Sequence, residues 1–417
     1  AFNDRRRDAA RGCSAFGGLR EQGFVTGLYD APNATENRSS LEQQARLLTL
    51  TDWLRVSLAG SLREYRLRDL TGTWLTGADV GYNGLPAGYT RAPQEAVNYV
   101  SAHDNETLFD AVQLKAPDEA TVADRVRMHN LGIDLVMLAQ GVPFFHAGDD
   151  LLRSKSLDRN SYNSGDWFNR LDFSIQDNGW GAGLPPAWDN QPQWPVMREL
   201  LGNPALKPSP DDIQAAAAHF QEMLRLRQSS KLFRLETAQD VQERLTFFNT
   251  GPEQTPGLIV MALSDAVGAD LDPDYELLVV LFNATQTPQT FAIDAFQGTD
   301  FALHPILAAS ADPVVRAARY DKTTGAFTVP GRTTAVFAAA KAPEISILPP
   351  PNTTTPPTTA PTVPAPTVAP STATPRPTPT ATAPSIVPHL ESLLWPVAIA
   401  AGVIVLLVVI LWSRTRE

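Results

Sequence analysis

Apolar residues recur every three or four positions in several long stretches of the first 230 residues, which predicts amphipathic helices. The predicted helices cover residues 41–58, 121–140 and 211–229. Short apolar runs predict strands at residues 97–101 and 141–146, the second one buried and preceded by a helix stop at Gly141. A strand, a helix and a second strand at this spacing indicate a βαβ unit with a parallel sheet.

The pattern changes between residues 231 and 341, where short apolar runs alternate with turn residues. The predicted strands cover residues 245–249, 258–263, 276–283, 289–293, 326–330 and 333–338. Turn signals such as Asn249-Thr-Gly-Pro252 and Asp272-Pro273 separate them. Short strands joined by turns in this way predict an antiparallel β-sandwich.

The end of the chain has two further compositions. Residues 343–388 are nearly all Pro, Thr, Ala, Ser and Val, which cannot bury enough apolar surface to fold, so we expect an extended stalk. Residues 393–412 carry no charge over about 20 positions, enough for a helix to cross a bilayer. Arg414 and Arg416 follow, which predicts a cytoplasmic C-terminus and a cell-surface location for everything before the helix.

Composition narrows the functional classes. The net charge of −11 at pH 7 argues against nucleic acid as a partner, because phosphates require a basic face. The single cysteine, Cys13, rules out an intrachain disulfide framework. A length of 417 residues allows two or three domains.

Candidate chemistry concentrates where the predicted strand at residues 97–101 ends. His103, Asp104 and Asn105 stand there together, and such side chains cannot be buried unpaired without a large free-energy cost. At the carboxyl end of a strand in a β/α protein they commonly face a ligand. The alternative is a turn in which Asp104 bonds to its own backbone.

Three stretches carry a resemblance to a known family. They are Tyr-Val-Ser-Ala-His-Asp-Asn-Glu at residues 99–106, a long run at residues 141–169, and Phe-Asn-Asp-Arg-Arg-Arg-Asp at residues 2–8. The first is similar to the last signature region of the α-amylase superfamily, glycoside hydrolase family 13, in its pullulanase-type α-1,6-glucosidase form. The long run includes Leu-Leu-Arg-Ser-Lys-Ser-Leu-Asp-Arg at residues 151–159 and resembles the pullulanases specifically. The resemblance covers roughly residues 1–340.

The pattern and the resemblance together imply an α/β plus all-β fold class. Residues 1–230 would form the C-terminal part of a catalytic (β/α)8 TIM barrel, and residues 231–341 an antiparallel β-sandwich. Residues 342–390 would be a disordered Pro/Thr-rich linker, residues 391–413 a single transmembrane helix and residues 414–417 a cytoplasmic tail. Half a barrel cannot close its own sheet, so we expect this chain to be the C-terminal piece of a longer protein.

The resemblance implies retaining hydrolysis of α-1,6-glucosidic bonds in pullulan, glycogen or limit dextrins. Retaining glycosidases pass through a cationic, oxocarbenium-like transition state. Asp104 matches the carboxylate that stabilises this state, since an anion near a developing positive charge favours the transition state over the ground state. His103 beside it would donate to a sugar hydroxyl.

The resemblance also implies a set of substrate-binding residues, most of them in the long polar and aromatic segment 151–193. Structureless segments of this length inside a domain are usually functional. An Arg–Asp network that holds the segment rigid is the alternative, and both roles can coexist. The substrate-binding candidates are Asn105, Arg153, Asp158, Arg159, Tyr162, Asn163, Asp166 and Trp167.

Two catalytic motifs of the family are not found in residues 1–417. We find neither a Gly-aromatic-Arg-X-Asp nucleophile motif nor a Glu next to Gly or Pro and Trp for the acid/base. The parent protein would therefore be a hydrolase, whereas this piece alone would be inactive. The alternative is a membrane-tethered α-glucan-binding protein or a catalytically inactive relative. Another α-glucan enzyme, such as an isoamylase or an α-amylase, is a third hypothesis, against which the segment 151–159 argues.

The expected partners follow from this chemistry. They are an α-glucan polysaccharide and, through the C-terminal helix, a membrane. The chemistry needs carboxylates and water, so no cofactor and no catalytic metal are expected. Family members often carry Ca²⁺, for which Asp149 and Asp150 could supply ligands.

Overall fold

Helices dominate the chain up to residue 244 and strands dominate after it in the computed structural model, which describes residues 1–13 and 17–341. The α-helices are α1 (Asp4–Arg11), α2 (Ser40–Leu58), α3 (Leu108–Lys115), α4 (Val122–Met137), α5 (Asp166–Asn169), α6 (Ala187–Asn190), α7 (Trp194–Leu201), α8 (Pro210–Ser229), α9 (Ala238–Arg244) and α10 (Pro305–Ala308). The β-strands are β1 (Arg66–Arg68), β2 (Trp74–Thr76), β3 (Gly81–Tyr82), β4 (Leu85–Pro86), β5 (Val97–Asn98), β6 (Val142–Pro143), β7 (Leu245–Phe248), β8 (Leu258–Ser264), β9 (Tyr275–Asn283), β10 (Gln289–Ala292), β11 (Phe301–Leu303), β12 (Arg319–Asp321), β13 (Ala326–Val329) and β14 (Thr333–Ala340).

The long helices α2, α4 and α8 each begin at a reciprocal hydrogen-bonded cap. In α8 the hydroxyl of Ser209 accepts from the backbone N–H of Asp212 at 3.2 Å, and the Asp212 carboxylate accepts from the backbone N–H of Ser209 at 2.8 Å. Such a pair satisfies two N–H groups that have no partner inside the helix. The same arrangement caps the other two helices, so local sequence fixes where all three begin.

Two antiparallel sheets form the second half. One has the strand order β11-β14-β9-β8-β7, and the other the order β10-β13-β12. Along β8, Leu258 and Val260 belong to the apolar cluster shared with the smaller sheet, whereas Ile259 and Met261 belong to the cluster shared with the helices. The larger sheet is therefore covered on both faces, which explains why β8 reads as an uninterrupted apolar run.

Buried polar contacts tie helix α2 to the sheet region. The guanidinium of Arg55, fully buried, donates to the carboxylate of Asp52 at 2.6 Å, to the carbonyl of Asn249 at 2.6 Å and to the side chain of Gln254 at 2.7 Å. A buried charge with these partners is stabilised only in the folded arrangement. The link therefore helps to hold the described residues in one compact unit.

The fold class predicted from the sequence, part of a TIM barrel followed by a β-sandwich, a stalk and a transmembrane helix, is wrong as a whole. The predicted parallel strands at residues 97–101 and 141–146 shorten to the two-residue pair β5 and β6. Val142 and Phe144, predicted to be buried, are 43% and 37% exposed. An apolar run indicates a strand without showing how long it is or which neighbours cover it. The fold observed combines helices with antiparallel sheets and the short parallel pair of β5 and β6.

The predicted membrane anchor also needs correction. In the part of the chain that the structure describes, no helix is both long and apolar enough to cross a bilayer. The long helix α8, for example, carries Asp211, Asp212, Glu222 and Arg225 along its length. The predicted linker, transmembrane helix and tail at residues 342–417 lie outside the described residues. The cell-surface location depended on that helix, so this prediction has no structural support and is withdrawn.

Candidate functional site

His103 and Asp104 lie in an exposed turn that follows β5. Their side chains are 85% and 75% exposed, and His103 Nε2 lies 3.5 Å from the Asp104 carboxylate. The turn closes at Asn105, whose φ of 63° falls in the left-handed region that Asn tolerates better than most residues. The two side chains are thus accessible to a ligand from solvent.

A buried lysine connects this turn to the segment 151–169. The ammonium group of Lys155 donates to the carbonyl of His103 at 3.2 Å. The Asp110 carboxylate in helix α3 accepts from the backbone N–H of Lys155 at 2.7 Å and from the hydroxyl of Ser154 at 2.5 Å. Burial raises the pKa of Asp110 to about 6, against the opposing effect of these hydrogen bonds. Sequence reasoning missed Lys155 and Asp110, because neither type nor spacing distinguishes a supporting charge from a surface charge.

Asp149, the predicted calcium ligand, is occupied by internal hydrogen bonds. The hydroxyl of Ser101 donates to both of its oxygens, at 2.8 and 3.0 Å, and the backbone N–H of His146 donates at 3.0 Å. Burial raises the pKa of Asp149 to about 7. Within residues 1–13 and 17–341, no group of three or more His, Cys, Asp and Glu side chains could hold a metal ion. The Asp149 carboxylate is thus engaged within the fold, and a calcium ion at Asp149 and Asp150 stays a prediction.

Two of the predicted binding residues support the segment from within. Arg153 is half-buried and donates to the carbonyls of Ala147 at 2.9 Å and Asn169 at 2.8 Å. Asp158 is fully buried and accepts from the side chain of Asn190 at 3.2 Å. This is the rigid network that the sequence offered as an alternative to sugar contact, and for these two residues the contacts favour it.

The remaining predicted binding residues lie on the surface. Tyr162 and Trp167 are 80% and 68% exposed. Exposing large aromatic rings in one segment is costly and commonly marks a binding surface. Trp188, 51% exposed and in edge contact with Tyr162 at 5.6 Å between ring centroids, extends this surface and was missed by the sequence. Asn163 and Asp166 are also exposed, and Arg159 is half-buried.

Charged residues at the start of the chain hold the end of strand β5 in place. Residues 4–11 form helix α1, and Asn3 caps it through its side chain. Arg7 donates to the hydroxyl of Tyr99 at 2.8 Å, and that hydroxyl bonds in turn to Asp4. Because Tyr99 directly follows β5, these charges hold the base of the turn that carries His103.

Comparison with known proteins shows which protein family this chain resembles. Residues 175–340 match the family model for the C-terminal domain of alpha-1,6-glucosidases of the pullulanase type. The resemblance to pullulanases predicted from the sequence is thereby confirmed, and the chain is similar to the C-terminal portion of such enzymes.

Individual relatives extend the match toward the N-terminus. The chain is 46% identical over 343 residues to the chloroplastic pullulanase 1 of Arabidopsis thaliana, which covers 81% of this chain and 36% of that protein. It is 40% identical over 311 residues to a pullulanase of Klebsiella pneumoniae, covering 73% of this chain and 28% of that protein. The chain therefore spans about a third of the length of the curated relatives it matches.

A solved structure shows the same arrangement. The maltotriose complex of PulA from Klebsiella pneumoniae superposes with a TM-score of 0.78 at 36% identity, covering 82% of this chain and 37% of that one.

Proposed function

We propose that this chain is part of a debranching glycoside hydrolase of the pullulanase type, which cleaves α-1,6-glucosidic bonds with retention of configuration. The observation that supports it best is the exposed His103–Asp104 pair, joined through Lys155 to a segment that exposes Tyr162 and Trp167. The similarity to pullulanases supports the same proposal.

In this proposal Asp104 acts electrostatically. Its carboxylate lies near the anomeric carbon of the bound sugar and stabilises the positive charge that develops there. His103 donates to a ring hydroxyl and orients the same sugar. The backbone of this turn is already held by the bracing of β5 and by Lys155, so little backbone reorganisation is needed when the substrate binds.

The exposed aromatic rings would receive the adjoining glucose units. Sugar rings present C–H faces that pack on Tyr and Trp, while Asn163 and Asp166 can bond to hydroxyl groups at their edges. Arg153 and Asp158 act indirectly by keeping the segment rigid. Asn105 and Arg159 complete the proposed contacts.

The nucleophile and the acid/base are not supplied by the motifs of this chain. Both carboxyl groups are needed to form and break the glycosyl-enzyme bond. We therefore propose that this chain binds α-glucan and does not hydrolyse it without those two groups.

The test is calorimetric titration of maltotriose into the full chain, with release of reducing sugar from pullulan measured in parallel. We expect maltotriose to bind, Asp104→Asn to weaken binding about tenfold, and no sugar to be released. Asp300→Asn is the matched control, since the Asp300 side chain is 87% exposed in the sheet region. Absence of maltotriose binding would contradict the proposed function. Release of reducing sugar from pullulan would contradict the proposal that this chain lacks the nucleophile and the acid/base.

A further inference from the structure

The dipeptide Asn-Gly occurs twice in the chain, at residues 83–84 and 178–179. In such a pair the asparagine side chain stands next to a backbone nitrogen that no following side chain shields, because glycine has no Cβ. That nitrogen can attack the side-chain amide, so each pair is a candidate site of deamidation. The structure places the two pairs in opposite surroundings.

The first pair forms the tip of the hairpin β3–β4. Tyr82 is paired with Leu85, so Asn83 and Gly84 are the two turn residues. Their φ values of 47° and 80° are both positive, as in a type I′ turn, which favours Asn followed by Gly. Both residues are exposed, and among the described residues no atom beyond the chain neighbours lies within 4 Å of where a Cβ of residue 84 would stand.

The reacting groups of this turn have no hydrogen-bond partner within residues 1–13 and 17–341. This holds for the Asn83 side chain and for the backbone N–H of Gly84. Strands β3 and β4 have only two residues each, so the tip can rotate about its backbone at a low free-energy cost. The rotation that brings the Gly84 nitrogen onto the Asn83 side chain is therefore accessible in the folded chain.

The second pair is held at both groups that would react. Asn178 is 5% exposed, its Nδ2 donates to the carbonyl of Leu152 at 2.7 Å, and its Oδ1 accepts from the backbone N–H of Trp180 at 3.1 Å. The Gly179 N–H donates to the Asp177 carboxylate at 2.9 Å. Because the leaving group and the attacking nitrogen are both engaged, this pair can react only after the segment opens locally.

We propose that Asn83 is a site of spontaneous deamidation in the folded protein and that the fold protects Asn178 from the same reaction. The Gly84 nitrogen loses its proton to solvent and bonds to Cγ of Asn83, while the Cγ–Nδ2 bond breaks and ammonia leaves. Water then opens the resulting cyclic imide. Addition at Cγ gives aspartate, and addition at the backbone carbonyl carbon gives β-linked isoaspartate. Water is the only co-reactant, so the reaction is independent of the function proposed above.

The modification changes a hairpin that contacts helix α1. The guanidinium of Arg5 donates to the carbonyl of Pro86 at 3.2 Å and lies over the rings of Tyr82 and Tyr89, at 4.9 and 4.5 Å from their centroids. Isoaspartate lengthens the main chain at residue 83, which a two-residue turn does not accommodate. Either product also adds a negative charge at the tip. The expected product is therefore a more acidic form of the chain with an altered β3–β4 hairpin.

The experiment incubates the full chain in mildly alkaline buffer, folded in one sample and unfolded by guanidinium chloride in the other. Trypsin then releases residues 69–91 and 171–198, each containing one Asn-Gly pair, and mass spectrometry measures deamidation in each peptide. In the folded sample we expect deamidation at Asn83 to be about tenfold faster than at Asn178, since only Asn178 must wait for local opening. In the unfolded sample the two rates should be similar.

Two outcomes of the peptide analysis would overturn the proposal. One is an intact Asn83 in the folded sample under conditions that convert it in the unfolded sample. The other is equal conversion of Asn83 and Asn178 in the folded sample.

Asn83→Gln is the matched variant, because it keeps the amide but moves it out of reach of the Gly84 nitrogen. On anion exchange the folded original chain should accumulate a more acidic species with time, whereas folded Asn83→Gln should not. Equal accumulation in both proteins would place the reaction at another residue and refute the assignment.

Discussion

The ammonium group of Lys155 and the carbonyl of His103 are joined by a hydrogen bond of 3.2 Å, although 52 residues separate them in the chain. Lys155 is only 1% exposed, whereas the His103 side chain is 85% exposed. A buried ammonium group thus positions the backbone of an exposed residue. This contact makes the geometry of the His103 turn depend on the segment that carries the aromatic surface.

Replacing Lys155 should weaken sugar binding without removing any group that touches sugar. We expect Lys155→Met to fill the same space while freeing the turn, and to weaken maltotriose binding about tenfold in calorimetric titration. Lys155→Arg, which keeps a donor, should retain more affinity. Lys207→Met on the surface is the control, and Lys155→Met with the affinity of the original chain would disprove the coupling.

Substitutions of Asp104 and Asp110 should differ in their effect on stability. Because its side chain is 75% exposed, Asp104→Asn should change the free energy of unfolding by less than about 0.5 kcal/mol. Asp110→Ala leaves the Ser154 hydroxyl and the Lys155 N–H without an acceptor and should cost about 2 kcal/mol or more. Urea denaturation measures both, and a similar loss in the two variants would show that Asp104 is part of the folded scaffold.

The cluster between the two sheets depends on Phe327. Its ring lies 4.6 Å from that of Tyr320, 5.1 Å from Phe337 and 5.2 Å from Phe301, between centroids. Phe327→Ala should therefore lower the free energy of unfolding by about 3–5 kcal/mol, since the cavity cannot fully collapse. Phe173→Ala, at a position 78% exposed, should cost less than about 0.5 kcal/mol in the same urea titration.

His129 should make the chain sensitive to acid. It is buried, its Nε2 lies 2.7 Å from the carbonyl of Asp149, and burial lowers its pKa from 6.5 to about 4. The folded state thus favours the neutral imidazole. Its contribution to the free energy of unfolding is fully present above pH 6.5 and is lost as the pH falls to about 4.

The size of this contribution is roughly 3 kcal/mol for a difference of about 2.5 pKa units. His129→Gln keeps an N–H donor but cannot titrate, so its stability should fall less between pH 7 and pH 4.5. Urea denaturation at the two pH values gives the comparison. Parallel losses in both proteins would place the acid sensitivity at other groups.

Sequence reasoning succeeded where the structure is decided locally. Helices α2 and α8 were predicted because apolar residues recur at helical spacing, a signal that acts within a few residues. No helix was predicted over the first residues. They form helix α1, in which Arg6 is fully buried, and no local signal distinguishes a buried arginine from an exposed one.

The same distinction between local and distant effects applies to the candidate site. Residue types and the family resemblance nominated His103, Asp104 and the aromatic residues of the segment as candidates. They could not show that Asp158 would be buried while Tyr162 is exposed, since burial depends on packing from distant parts of the chain. Asn190, which bonds to Asp158, lies 32 residues away.

Strand β9 lies between β14 and β8, and apolar clusters cover the larger sheet on both faces. Its backbone amides at Val279 and Val280 are fully buried and pair with strands on either side. Deuterium from solvent can reach them only when the whole unit opens, so their exchange rates report its global stability. Proteases and denaturants must likewise dismantle the surrounding layers before they reach this strand.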